Sequence, residues 1–120
     1  MKSFHAARVW ASEDGDYMAV QCDELAVGDD RGRYFHLQRS FEDDDDEPCY
    51  IEEDELEMVG HFDVDTVSAE LQRDRLRIKT SNPEHEILVT FEVNDRVLRR
   101  FARVLREIIP GVRIAPGVLL

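Results

Sequence analysis

Cysteine is scarce in this chain, and Cys22 and Cys49 alone cannot make a disulfide framework. Long apolar runs are missing as well. None approaches the roughly 20 residues needed to cross a bilayer. The opening MKSFHAARVWASEDGD has no apolar segment of the kind a secretory signal carries. The cytoplasm, with both thiols reduced, is the expected compartment. Basic charge is also short, with 15 Lys and Arg against 27 Asp and Glu and a net charge of −12. Such an excess repels free nucleic acid and membrane surfaces, which removes both as partners. There is no glycine-rich phosphate loop, no HExxH and no nucleophile elbow. Neither enzyme activity nor a cofactor is expected. With 120 residues, one domain spanning 1–120 is the natural division, because a second core would be too small to offset chain entropy.

What the chain has instead is negative charge, concentrated in one place. Residues 1–72 carry 21 acidic and 5 basic side chains, whereas residues 73–120 carry 6 and 10. Residues 42–57 hold eleven acids and no Lys or Arg. Glu42-Asp43-Asp44-Asp45-Asp46-Glu47-Pro48 separates two β-type segments, Arg33 to Phe41 and Cys49 to Glu53. The plain reading of such a run is a solvated loop that keeps the protein soluble. The acids continue, however, into the returning strand as Glu52-Glu53-Asp54-Glu55, and charge anchored on a strand is positioned charge.

The remaining pattern is mostly strand. Phe4 to Ala11 reads as one strand, turned by Ser12 to Asp16, and Tyr17 to Cys22 as a second. His61 to Asp65 alternates strictly. Further on, Val67, Ala69 and Leu71 share a face if a hairpin pairs Leu71 with Leu76 and Ala69 with Ile78. A second hairpin then pairs Thr80 with Ile87, Ile78 with Val89 and Leu76 with Phe91, leaving Glu70 to meet Arg77 and Arg75 to meet Glu92. Phe62 and Val64 have the opposite parity, which predicts a bulge or break near Asp65-Thr66. Asn94 or Asp95 caps a helix that ends at Pro110-Gly111. Its apolar stripe is Val97, Leu98, Phe101, Val104, Leu105, Ile108 and Ile109, and five arginines line the other side. The stripe is expected to cover the adjacent three-stranded unit. The fold class is therefore α+β, a mainly antiparallel sheet with one C-terminal amphipathic helix on a face. The apolar tail VRIAPGVLL suits an edge strand or a contact surface.

Metal chemistry has two candidate sets. His61, Asp63 and Asp65 would project from one face of a strand, and Asp and His serve divalent cations. The solvent face of an amphipathic strand explains the same alternation. His36, Cys22 and Cys49 could converge, but their spacing is no zinc signature.

From Tyr34 onward, the order of features resembles the immunity protein 10 family of bacterial polymorphic-toxin systems. The residues that carry the likeness are Tyr34-Phe35-His36-Leu37-Gln38-Arg39-Ser40, an acidic insertion, Tyr50-Ile51-Glu52, Val67 to Ile78, Ile87 to Val93 and the arginine-rich helix. The resemblance implies a binding protein that occludes a cognate toxin domain. A basic toxin, such as a nuclease with a basic cleft, suits the acidic loop. The expected contact set is Asp43, Asp44, Asp45, Asp46 and Glu47 on the loop, with Glu52, Glu53, Asp54 and Glu55 as its anchored part. A homodimer stays open. The rival readings are a small acidic secretion chaperone, which would open with a helix, and a metal-dependent enzyme built on His61, Asp63 and Asp65.

Overall fold

The first twelve residues change parity. Phe4 and Ala6 are buried, and so is Val9, so no single strand can put all three on one face. A computed structural model, describing residues 2–24, 32–41, 48–55 and 58–118, shows how the chain resolves this. It breaks at Ala7 into β1 (Lys2–Ala6) and β2 (Arg8–Asp14), which belong to different sheets. The Ala7 N–H donates to Asp23 O at 2.8 Å and fixes the crossing. The single strand expected over Phe4 to Ala11 is thus two.

Beyond it, β2, β3 (Tyr17–Asp23), β4 (Tyr34–Ser40), β5 (Cys49–Glu53) and β6 (Gly60–Phe62) form an antiparallel meander in sequence order. Gly15, at φ 62, supplies the left-handed residue of the two-residue turn between β2 and β3. The second sheet has the order β1-β9-β8-β7-β10, from β7 (Ser68–Gln72), β8 (Arg75–Lys79), β9 (Glu86–Phe91) and β10 (Arg113–Ile114). Its central pairs are antiparallel, while both edge strands, β1 on β9 and β10 on β7, run parallel. The molecule is α+β, two mostly antiparallel sheets with one C-terminal helix.

The first hairpin has the expected register, with Leu71 opposite Leu76, Ala69 opposite Ile78 and Glu70 opposite Arg77. The second is displaced by two residues, with Ile78 opposite Ile87 and Leu76 opposite Val89. Thr80 leaves the strand to build the turn, its hydroxyl accepting from Asn82 N–H at 3.2 Å. A shift of two preserves parity, so the same apolar side chains stay inside. On the other face Arg75 meets Thr90 instead of Glu92.

Near Asp65-Thr66 the strand does break. It stops at Phe62, and Asp63 caps a single 3-10 turn over Val64–Thr66. The tail docks as an edge, with Ala115 N–H donating to Leu71 O at 2.9 Å and Val118 buried.

The helix α1 (Asp95–Ile108) is capped by Asn94, whose side-chain Oδ1 accepts from Val97 N–H at 2.9 Å. Leu98, Phe101, Ala102, Val104, Leu105 and Ile108 are buried along it. Its backbone lies closest to β2 and β3 of the meander, not to the hairpins that precede it in the chain. Phe101 still reaches the other sheet, its ring 6.4 Å from that of Phe91. One core cluster joins both sheets and the helix. Among the described residues no helix is long and apolar enough to cross a membrane.

Candidate functional site

Period-two alternation divides the acids of β5 between two sides of the sheet. Cys49, Ile51 and Glu53 turn inward and are buried, while Tyr50 and Glu52 turn outward. Glu53, at 2 % exposure, is therefore withdrawn from any partner. Its carboxylate lies 3.1 Å from Lys2 Nζ, which also donates to Asp54 and sits 3.6 Å from Glu55. Asp54 accepts a second hydrogen bond from Tyr34 N–H at 3.0 Å. Three of the four anchored acids therefore surround one lysine of β1. Burial works against that lysine's charge, yet its hydrogen bonds to Asp54 and Glu53 prevail and hold its pKa above the ordinary value. Burial likewise opposes ionisation of Asp54, and its bonds from Lys2 and Tyr34 N–H prevail and hold its carboxyl low. Glu55 remains 52 % exposed. Asp43, Asp44, Asp45, Asp46 and Glu47 fall outside the described residues.

Glu52 is different. It faces outward and takes one tyrosine hydroxyl on each carboxylate oxygen, Tyr34 and Tyr50 each at 2.9 Å. Among the described residues it forms no ion pair. Burial and the bond to Glu52 push the Tyr34 pKa up to about 12, and the same acceptor raises that of Tyr50. Both phenols thus stay protonated as donors at neutral pH.

The neighbours of Glu52 form a continuous polar and aromatic face. In register across the strands, Trp10 lies opposite Gln21, Gln21 opposite His36 and His36 opposite Glu52. Trp10 Nε1 donates to Asp23 at 3.1 Å, and Gln21 donates to the other oxygen of Asp23 at 2.6 Å. That bond turns the Gln21 carbonyl toward His36 Nδ1, at 2.7 Å, while His36 Nε2 meets the Gln38 carbonyl at 2.7 Å. Tyr17 OH donates to the same carbonyl at 2.6 Å. Tyr50 stacks at a tilt against His61, with centroids 5.3 Å apart, and the Arg8 guanidinium lies 5.4 Å from the centre of Trp10. These side chains are half-buried and locked to one another, and His61 at the rim is exposed. Sequence reading had no place for this face as a site. The signal was the alternation in Tyr34-Phe35-His36-Leu37-Gln38-Arg39, whose polar-aromatic positions become one surface only when four strands are aligned.

Neither metal set comes together. β6 ends before Asp63, whose carboxylate accepts from Asp65 N–H at 3.0 Å instead of facing out beside His61. Cys22 and Cys49 are buried inside the sheet, and His36 lies on its outer face. Burial raises both thiols, Cys49 to about 11, so neither is a ready thiolate. Among the described residues no group of three His, Cys, Asp or Glu could hold a metal ion. A cleft of about 280 Å³ beside β1 is lined in part by Lys2, Arg33, Glu53 and His85. Its cations are engaged, Lys2 as described and Arg33 by Glu24, with Nε 2.8 Å from Oε2. No family model, curated protein or solved structure matches the chain.

Proposed function

We propose that this chain is an immunity-type binding protein, one that neutralises a cognate basic toxin domain by occluding it. The observation that carries the reading is Glu52, an outward carboxylate with no cation among the described residues, on a strand entered from the Asp43–Glu47 run. A carboxylate of that kind is the anchored end of an acidic feature that can steer a basic surface and then engage it. The sequence resemblance to the immunity family, from Tyr34-Phe35-His36-Leu37-Gln38-Arg39-Ser40 to the arginine-rich helix, supports the same reading. No observation favours the rival chaperone reading; Lys2–Ala6 and Arg8–Asp14 are strands.

The experiment is co-expression in a bacterial host with the toxin domain encoded beside this chain. Growth should be rescued, and the two proteins should copurify as a stoichiometric complex. A neighbouring toxin that kills equally well with and without this chain would sink the reading.

A further inference from the structure

From the outer face of the β2–β6 sheet we infer a docking surface for an arginine-bearing segment of the partner, with Glu52 as the receiving carboxylate. This rests on the reading of a basic partner and specifies its chemistry. Glu52 lies between two tyrosine hydroxyls that fix its orientation, and each oxygen keeps lone-pair capacity for a further donor. A guanidinium presents two parallel N–H groups to such a carboxylate, and its flat surface stacks on aromatic rings. Tyr34 and Tyr50 supply rings at the position, and Trp10 lies three strands away on the same face, within reach of a neighbouring side chain of an extended segment. The face already holds one guanidinium this way, that of Arg8 over Trp10. A lysine ammonium would satisfy the charge but neither the fork nor the stacking. The hydrogen-bond chain from Trp10 through Asp23, Gln21, His36 and Gln38 to Tyr17 holds these side chains before a partner arrives, so little rotamer freedom is left to lose on binding. Aromatic residues, and arginines arriving from a partner, are what interface centres are enriched in.

The test titrates the full chain with blocked hexa-arginine and hexa-lysine peptides near physiological salt. It follows the Trp10 indole and tyrosine ring resonances by NMR. Hexa-arginine should bind more tightly than hexa-lysine and shift Trp10, Tyr34 and Tyr50. Glu52→Gln keeps the size and an acceptor for one tyrosine hydroxyl, and its amide NH2 can donate to the other phenol oxygen, so the fold should survive, and it should weaken hexa-arginine binding about tenfold. The quadruple variant Asp43→Asn, Asp44→Asn, Asp45→Asn, Asp46→Asn should lose affinity for both peptides alike, yet keep the shifts at Trp10 and Tyr50. If hexa-arginine binds without moving those rings, or if Glu52→Gln is inert, this face is not the dock. The basic-partner reading would still stand. If neither peptide binds the wild-type chain, both ideas fall. Self-association that Glu52→Gln abolishes would make the occupant a second copy and overturn the proposal as stated.

Discussion

Lys2 shows how much one side chain can settle. It is 9 % exposed, and it links the first strand of one sheet to Glu53 and Asp54 at the end of a strand in the other. Replacing it as Lys2→Met would remove a cation 3.1 Å from buried Glu53, which also accepts from Met58 N–H at 3.4 Å, with an expected cost of about 3 kcal/mol in urea denaturation. A loss under about 1 kcal/mol would mean that Glu53 is satisfied otherwise. The pH dependence follows from the two shifts. Asp54 is held below its ordinary 3.8, so its contribution is present above that value and is lost as pH falls through the folded-state pKa. Lys2 is held above its ordinary 10.5, so its contribution is full below that value and is lost as pH rises through the folded-state pKa. The stability gap between wild type and Lys2→Met should therefore hold between about pH 5 and 9 and narrow toward both extremes. A gap unchanged down to pH 2 would show that the latch is not ionic. None of this was legible in the sequence, where Lys2 is one cation in an ordinary opening and Glu53 is one acid among eleven.

At the scale of elements, local pattern foretold what local physics controls. Strand β5 and the helix cap at Asn94 fall where the sequence placed them, and the inward sets of β7, β8 and β9 are right although one register is off by two. Parity depends on alternation alone, whereas the second hairpin's register depends on Thr80 joining its turn. The packing partner of the helix was misjudged because nearness in the chain stood in for nearness in space. One reason it reaches the meander is Arg39, a buried arginine on β4 whose Nη1 donates to Ile108 O at 3.1 Å. Its guanidinium also lies 4.7 Å from the centre of Phe41. A cation at the helix C-terminus satisfies a carbonyl that has no partner within the helix and meets the negative end of its dipole. Arg39→Leu is expected to cost about 2 kcal/mol and to weaken amide protection in the last turn of α1 first. Hydrogen exchange that is uniform along the helix in that variant would refute the capping role.

For the whole molecule the governing quantity is charge. Lys2 with its acids, and Arg100 placed 3.8 Å from Glu13, offset part of the excess, but a net −12 remains. Added salt should therefore raise the melting temperature between low and moderate ionic strength. A flat or falling melting temperature would mean that the acids are compensated within the fold. With a cognate toxin domain, neutralising Asp43 to Asp46 as Asn should slow association several-fold and flatten its salt dependence. Glu52→Ala should speed dissociation. Glu53→Ala, at a buried position beside Lys2, should instead show itself in stability. Last, the parallel pairing of Lys2–Ala6 with Ile87–Phe91 has a consequence in time. The paired residues are 85 positions apart in the sequence, so closing that contact carries the largest loop entropy among the described strand pairings and should come late in folding. An intermediate with both hairpin units formed and β9 still open along one edge would then precede the native state. A short synthetic peptide with the sequence of Lys2–Ala6 could capture that intermediate by taking the place of the chain's own first strand.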